Sequence, residues 1–312
     1  MDGDQSRRSE LDGVFDHLDQ LFAQVAAAPD PIAAMRNAAR RYPDVGPPPS
    51  LEGVNFTAVD QDGVRGEWVT ADHSLPDVRL VYLHGGGWSA NSPIEYRGFS
   101  AHLARSTRAT IFMADYRLAP EHPFPAALID SRAALEWVAR NGPAGARPAK
   151  SLALAGDSAG ANLAAAVCAA AIQDSTTVPN RLALIGPALD AVHDPLRVGR
   201  RDSIVTPESI AGAFETYIAG AVDPADPRVS PLRTKDDVLA KFPPTLIQVS
   251  GAEGWIFDAR AFAQRLEEVE VRVLLSIWPR MPHVWHVFLT ALPEASEAIR
   301  EIGWFIDPQI DR

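Results

Sequence analysis

Residues 152–166 read LALAGDSAGANLAAA, an apolar run that meets an alanine-rich run at Gly-Asp-Ser-Ala-Gly. The first run has the length and composition of a buried strand, and the second predicts a helix. Ser158 therefore lies in a sharp strand-to-helix turn, between Gly156 and Gly160. At those two positions the strand and the helix pass so close that a side chain would collide. The turn thus presents the Ser158 hydroxyl at the end of a sheet, beside a helix N-terminus.

This setting favours a nucleophilic serine, because Gly-x-Ser-x-Gly between a strand and a helix is typical of a nucleophile elbow. The alternative is that Asp157 and Ser158 simply cap the helix. A serine hydroxyl is a weak nucleophile at neutral pH and needs a base within hydrogen-bond reach. We therefore expect a histidine, an orienting carboxylate and donors for an oxyanion elsewhere in the chain.

The composition of the 312-residue chain is that of a globular protein, with 46% hydrophobic and 22% charged residues. Its formal net charge of −11 argues against a nucleic-acid partner, which would require clustered basic residues. The single cysteine, Cys168, permits no intrachain disulfide, and we expect it to be a small core residue. The sequence has no cluster of cysteine and histidine that suggests a metal, and it indicates no cofactor.

The chain shows no targeting or membrane-spanning pattern. Residues 1–13, MDGDQSRRSELDG, lack the apolar region of a signal peptide. No run of about 18 apolar residues is present, so we expect no membrane span. The sequence therefore predicts a cytoplasmic protein.

The N-terminal region reads as a helical segment that is separate from the main body. Apolar residues recur every three or four positions over 11–27, and a second short helix is expected after Pro31. A proline-rich connector follows at 43–49. We predict an N-terminal helical cap segment over 1–50 and a catalytic domain over 51–312.

The main body alternates apolar strands with helices, which predicts an α/β fold with a mostly parallel sheet covered on both faces. The expected strands are 78–84, 109–116, 151–156, 182–187, 245–251 and 271–278, and the expected helices are 97–107, 126–140, 160–173 and 258–269. Residues 51–70 look like an antiparallel start to the sheet. Residues 190–225 lack a clear strand and carry a helical stretch at 207–220, so we interpret them as a cap insertion.

The oxyanion donors are expected after the strand VYL at 81–83, where His84 is followed by three glycines and Trp88. Such a loop lets the backbone turn its amides toward a common point. The donors would be the amides of Gly86, Gly87 and Ala159. The alternative is a glycine-rich turn without a binding role. We expect His84 to hold the loop by hydrogen bonds rather than to act as a base.

The base and the acid are expected near the C-terminus. His283 directly follows a strand and a proline, which favours it as the base, whereas His286 is expected to be a packed histidine. Two carboxylates follow the strand at 245–251. Glu253 lies immediately after it in a glycine-rich loop, and Asp258 has the position of a helix N-cap. We prefer Glu253 and keep Asp258 as the second candidate; either gives the order serine, acid, histidine of the α/β-hydrolases.

Over about residues 75–305 the chain resembles the alpha/beta-hydrolase fold and, within it, the bacterial hormone-sensitive-lipase-like esterases. The resemblance rests on the stretches HGGGW (84–88), DYRLAPEHPFPAAL (115–128), GDSAGANLA (156–164), DPADPRVSPL (223–232), FPPTLIQVSG (242–251) and WPRMPHVWHVF (278–288). It implies a Ser–His–acid triad, hydrolysis of short- to medium-chain acyl esters, a helical cap and frequent homodimers. The family usually has an aspartate where this chain has Glu253, and often a glycine where it has Arg280, for which we have no explanation.

The resemblance leaves the exact reaction open. Trp88 and Trp255 adjoin the expected site and either wall a substrate pocket or pack in the core. A lactone hydrolase or an aryl-formamidase on the same scaffold is an alternative to an esterase. A non-catalytic, ligand-binding relative is a further alternative, although a serine, a histidine and candidate acids are all present. The expected partner is a small-molecule ester.

Overall fold

The computed structural model describes residues 2–192, 199, 204–307 and 309. Ten strands and nine α-helices are present in this part of the chain. The strands are β1 (Val54–Gln61), β2 (Val64–Ala71), β3 (Leu75–Leu83), β4 (Ala109–Ala114), β5 (Asn141–Gly142), β6 (Gly145–Ala146), β7 (Ser151–Asp157), β8 (Arg181–Ile185), β9 (Thr245–Ser250) and β10 (Val273–Trp278). The helices are α1 (Asp2–Ala26), α2 (Pro31–Arg41), α3 (Arg97–Arg105), α4 (Ala126–Arg140), α5 (Ala159–Gln173), α6 (Pro207–Ile218), α7 (Asp236–Leu239), α8 (Ile256–Glu268) and α9 (Pro293–Ile306).

Eight strands form one sheet in the order β1-β2-β4-β3-β7-β8-β9-β10, and β5 pairs with β6 in a separate small hairpin. β1 and β2 join the large sheet in antiparallel fashion, and every other pairing in it is parallel. The predicted α/β architecture with an antiparallel start is therefore confirmed. Because the parallel strands end at one edge, the loops after β3, β7, β9 and β10 gather there.

Both faces of the sheet are covered by helices. Side chains alternate along β3, so Val81 and Leu83 join a core with α4, α5 and α8, while Leu80 and Tyr82 join a second core with α3 and α9. Helix α5 is buried along nearly its whole length, with Cys168 inside it, as expected. Its small alanine side chains let it pack closely against the strands.

The N-terminal helices contact the C-terminal part of the chain. Val14 and Leu18 of α1 share a core cluster with Trp285, Phe288 and residues of α9. Helix α2 begins with a proline, and Asp30 caps it by accepting a hydrogen bond from the Ala33 amide at 3.0 Å. The division into a cap segment over 1–50 and a catalytic domain over 51–312 stays a prediction.

The structure differs from the sequence expectations at helices α8 and α9. Helix α8 begins at Ile256, so Asp258 lies inside its first turn and the N-cap expectation is wrong. Helix α9 was not among the predicted elements. The expected cap insertion includes α6, but its residues 193–198 and 200–203 lie outside the described residues.

Across the described chain, each helix is too short or too polar to cross a membrane.

Candidate active site

The turn that carries Ser158 is strained and crowded. Ser158 has φ 54° and ψ −119°, a conformation that L-residues rarely adopt. A Cβ atom at Gly156 would lie 2.4 Å from the carbonyl oxygen of Gly160, and one at Gly160 would lie 2.0 Å from the carbonyl oxygen of Leu83. The predicted collision is therefore present, and at Gly160 the obstacle is the end of β3. The Ser158 side chain makes no capping bond to α5, which counts against the capping alternative.

The glycine loop, residues 84–91, passes directly over this turn. Gly86 and Gly87 have φ values of 120° and 59°, which glycine adopts without strain. Both line one cleft with Ser158 and Ala159. In the described part of the chain, the amides of Gly86, Gly87 and Ala159 have no hydrogen-bond acceptor. The loop and the helix N-terminus thus bring three unpaired donors to the cleft that contains the serine.

Asp157 ties the glycine loop to the serine turn, a role that sequence reasoning missed. Its Oδ1 accepts hydrogen bonds from the Tyr82 hydroxyl at 2.8 Å and the Gly85 amide at 3.1 Å, and its Oδ2 accepts one from the Tyr96 hydroxyl at 2.8 Å. Burial of the carboxylate raises the pKa of Asp157 to about 6. The signal in the sequence was an acidic residue inside an otherwise apolar motif.

His84 supports the glycine loop from beneath, as expected. Its Nδ1 lies 2.9 Å from the carbonyl oxygen of Gly85, and its ring stacks on Tyr116 with centroids 4.4 Å apart. The Tyr116 hydroxyl donates to the His84 carbonyl oxygen at 2.6 Å. Burial lowers the pKa of His84, which favours the neutral ring.

His283 and Glu253 form a buried pair. Nδ1 of His283 donates to Oε2 of Glu253, whose Oε1 accepts from the Ser250 amide at 2.7 Å. Because a carboxylate only accepts, Nδ1 carries the proton and Nε2 is left as an acceptor. Gly186 lies beneath the pair with φ 49°, and a Cβ atom there would lie 3.0 Å from Cε1 of His283. The structure therefore brings Glu253 to the histidine and leaves room for no side chain below them.

Asp258, the second candidate acid, serves a different segment. Its Oδ2 accepts hydrogen bonds from the amides of Leu189 at 3.0 Å and Asp190 at 3.1 Å. Asp190 in turn pairs with Arg233, with Oδ1 2.8 Å from Nε. Asp258 thus holds the chain just after β8.

His286, expected to be packed, is buried and bonds Oε1 of Gln248 through Nε2 at 2.8 Å.

Ser158 and His283 line the same cleft, which has a volume of about 970 Å³ including its open mouth. Its walls are mostly apolar and come from several segments: Phe22, Met35, Ala39, Tyr42, Ile204, Val205, Ile210, Ala213, Phe214, Val284 and Val287. Trp88 and Trp255 also line it, and both are buried. Trp88 stacks on Tyr217 with ring centroids 4.5 Å apart, so it is packed as well as pocket-lining.

The described residues contain no group of three or more His, Cys, Asp or Glu side chains that could hold a metal ion. The groups that can do chemistry at the cleft are a hydroxyl, an imidazole whose Nδ1 bonds Glu253 and three backbone amides. Such a set fits acyl transfer through a serine, the chemistry of hydrolases with a nucleophile elbow.

Comparison with known proteins agrees with this class. A family model described as the alpha/beta hydrolase fold matches residues 80–287, and the chain belongs to that family. An esterase from Acinetobacter venetianus is 32% identical over 263 residues, which cover 82% of this chain and 83% of that protein. An acetyl-hydrolase from Streptomyces hygroscopicus is 36% identical over 232 residues, which cover 73% of this chain and 74% of that protein.

A solved structure of an esterase from the bacterial hormone-sensitive lipase family superposes with a TM-score of 0.84 at 32% identity, covering 97% of this chain and 99% of that chain. The sequence resemblance to hormone-sensitive-lipase-like esterases is therefore confirmed. The chain is a carboxylic ester hydrolase of this group.

Proposed function

We propose that the protein is a serine carboxylesterase that uses Ser158 as nucleophile, His283 as general base and Glu253 as the orienting acid. The observation that carries the proposal is the buried hydrogen bond from Nδ1 of His283 to Glu253, in a cleft that also contains Ser158. That bond fixes the imidazole tautomer whose Nε2 can accept the serine proton. The proposal prefers Glu253 to Asp258 because Nδ1 of His283 bonds Glu253, whereas Asp258 bonds the amides of Leu189 and Asp190.

The reaction follows from these groups in two steps. Ser158 Oγ bonds to the ester carbonyl carbon, and its proton passes to Nε2 of His283. The carbonyl oxygen becomes an oxyanion, which the amides of Gly86, Gly87 and Ala159 stabilise; each such donor contributes roughly 3 kcal/mol in comparable sites. The intermediate expels the alcohol, which takes the proton from His283.

Water then completes the cycle. His283 removes a proton from a water molecule, the resulting hydroxide attacks the acyl-enzyme carbonyl, and the second oxyanion uses the same amides. Collapse releases the carboxylic acid and returns the proton to Ser158 Oγ. Glu253 orients the ring and stabilises the imidazolium that forms twice in each cycle.

We propose short- to medium-chain acyl esters as substrates. The cleft that contains Ser158 and His283 has mostly apolar walls, which suit the acyl part of an ester. Each buried methylene contributes about 0.8 kcal/mol, so chain length is selected by how many methylenes the walls can cover. One relative of the chain carries the name acetyl-hydrolase, which also favours a short acyl group.

The test is hydrolysis of p-nitrophenyl esters from acetate to palmitate. We expect the highest kcat/KM among the short and medium chains, and Ser158→Ala should reduce it at least about 1000-fold for every ester. Ser209→Ala is the matched control, because Ser209 lines the same cleft but serves as part of the capping box of α6. It should retain activity.

Two results would contradict the proposal. An unchanged rate of ester hydrolysis in a folded Ser158→Ala variant would show that Ser158 is not the nucleophile. A kcat/KM for a simple lactone or an aryl formamide far above that for every ester would mean that the cleft is built for a different acyl substrate.

A further inference from the structure

Helix α2 makes a polar contact with the glycine loop through Arg36. The Arg36 Nε donates to the carbonyl oxygen of Ser89 at 2.8 Å, and Nη2 donates to the carbonyl oxygen of Ala119 at 3.3 Å. The same guanidinium forms a two-bond pair with Glu121, at 2.8 and 2.6 Å. The Ser89 amide bonds back to the Gly86 carbonyl oxygen at 3.1 Å. Arg36 therefore holds the turn that follows the oxyanion glycines.

Tyr42, directly after α2, contacts the loop that carries the base. Its hydroxyl donates to the backbone carbonyl oxygen of His283. Its ring packs against Phe288, with centroids 5.2 Å apart, and against Phe22 edge-on at 6.3 Å. The two aromatic neighbours restrict rotation of the Tyr42 ring, and this packing keeps its hydroxyl directed at His283.

The histidine loop, residues 279–287, also has hydrogen bonds to residues at the end of β9 and packing contacts with α1. The Ser250 hydroxyl donates to the Met281 carbonyl oxygen at 2.5 Å, and Glu253 holds the imidazole of His283. Val284 has φ 48°, an unfavourable conformation for a β-branched residue. A strained loop needs external anchors, and Tyr42 supplies one on the carbonyl of the catalytic residue itself.

We propose that Arg36 and Tyr42 are positioning residues: together they hold the glycine loop and the histidine loop at a fixed separation, so that the N-terminal segment completes the catalytic centre. The inference rests on the proposed roles of Ser158, His283 and the oxyanion amides. Productive acyl transfer requires the reacting groups to be placed within about 0.5 Å. The bonds from Arg36 to Ser89 and from Tyr42 to His283 fix both loops to the same short segment.

This role differs from that of a cover over the cleft. A cover acts through wall residues such as Met35 and Ala39, which touch the substrate and therefore alter KM. Arg36 does not line the cleft, and Tyr42 lines it but directs its hydroxyl to a backbone carbonyl; both residues bond loops that carry the reacting groups. Loss of those bonds should lower kcat while KM changes little, because substrate contacts stay in place.

The first test is Tyr42→Phe, which removes the hydroxyl and keeps the ring packing. We expect kcat on p-nitrophenyl butyrate to fall about 3- to 10-fold, the effect of one hydrogen bond, with KM within about twofold. The rate of inactivation by a fluorophosphonate should fall by the same factor, since that reaction also requires the serine to be activated.

The matched control is Thr290→Val. Thr290 Oγ1 donates to the carbonyl oxygens of Pro47 at 2.8 Å and Val45 at 3.3 Å, so it fastens the same segment without touching either catalytic loop. We expect kcat within about twofold of wild type. A loss as large as that of Tyr42→Phe would mean that general loosening of the segment, and not the His283 contact, explains both.

The second variant, Arg36→Lys, keeps the charge beside Glu121 but cannot reproduce the guanidinium fork. It should lower kcat with KM retained, and Glu121→Gln, which leaves Arg36 able to reach Ser89, should affect kcat less. In the variant that combines Tyr42→Phe and Arg36→Lys, the loss should be smaller than the product of the single losses, since either change frees the same segment.

The outcomes separate this inference from the proposed function. If wild type hydrolyses esters and labels at Ser158, but Tyr42→Phe and Arg36→Lys keep full kcat, the positioning role is overturned alone. A rise in KM with kcat unchanged would also overturn it, because that result is expected of residues that only cover the cleft. A wild-type protein that neither turns over esters nor labels at Ser158 would overturn the proposed function as well. If Tyr42→Phe fails to fold, Arg36→Lys alone decides.

Discussion

The serine turn (residues 156–160) and the histidine loop (279–287) meet at one cleft, yet they are held in place by different forces. The serine turn is held by its own backbone: Gly156 and Gly160 allow contacts with β3 and α5 that any side chain would block. The histidine loop is held by hydrogen bonds from side chains far away in the chain, those of Glu253, Ser250 and Tyr42.

The difference predicts how each region responds to substitution. A steric clash of this kind cannot be relieved in part. A Cβ atom 2.0 Å from a backbone oxygen forces either the turn or the sheet to move. Hydrogen bonds can be removed one at a time, and each removal leaves the rest of the loop in place. A side chain added in the serine turn should therefore abolish activity, whereas loss of single hydrogen bonds to the histidine loop should lower activity in steps.

The largest effect is expected from Gly160→Ala. The added methyl group would meet the carbonyl oxygens of Leu83 and His84 at 2.0 and 2.5 Å, so the turn cannot keep its geometry. We expect a loss of several kcal/mol in the free energy of unfolding and no measurable esterase activity. Chemical denaturation and hydrolysis of p-nitrophenyl acetate measure the two effects.

Gly212→Ala is the control for Gly160→Ala. Gly212 lies in α6, and a Cβ atom added there would meet nothing within 4 Å. Alanine there should stabilise the helix by about 0.5–1 kcal/mol. Equal tolerance of alanine at both positions would contradict the account of the serine turn.

A smaller but still large effect is expected from Glu253→Gln. The amide of glutamine can donate to Nδ1 of His283 and so favour the wrong tautomer, and it cannot balance the imidazolium charge. We expect kcat to fall about 100- to 10,000-fold while the protein stays folded.

Asp258→Asn tests the same assignment from the other side. The side-chain oxygen of asparagine can take the place of Oδ2 and accept from the amides of Leu189 and Asp190, so activity should be largely retained and stability should fall slightly. A severe loss of kcat only in Asp258→Asn would reverse the choice of acid.

The last prediction concerns how Asp157 makes the free energy of unfolding depend on pH. Burial raises the pKa of Asp157 from 3.8 to about 6, so the folded protein retains a proton that the unfolded chain has released. Between about pH 4 and 6 this group therefore lowers the free energy of unfolding as pH rises, and above that window its effect is constant. Asp157→Asn removes this contribution.

Urea denaturation of wild type and Asp157→Asn at several pH values measures this effect. The free energy of unfolding of wild type minus that of the variant should fall from about pH 4 to 6 and then level off. A difference that rises over this range would mean that the hydrogen bonds from Tyr82, Tyr96 and Gly85 outweigh desolvation.

The sequence was informative where structure is determined locally. Nearly continuous apolar runs predicted the central strands, and the motif around Ser158 predicted the tight turn, because the strand, the turn and the helix are neighbours in the chain. Cys168 is buried, as expected, for the same reason, since it lies in the helix that follows the motif.

Contacts between distant residues could not be predicted in this way. Tyr42 lies 241 positions before His283, and Arg36 lies 53 positions before Ser89. No periodicity or motif links such pairs, since they meet only after the N-terminal helices pack on the C-terminal core. The misplaced N-cap at Asp258 has a related cause, because its carboxylate is taken by amides 68 and 69 positions away rather than by its own helix.

The central claim, that Ser158 is a nucleophile activated by His283, is tested most directly by mapping a fluorophosphonate adduct by mass spectrometry in wild type and in His283→Ala. The account predicts a single adduct on the peptide that contains Ser158, formed at least about 100-fold more slowly when the imidazole is absent. An adduct on another residue, or labelling of Ser158 at an unchanged rate in His283→Ala, would contradict it.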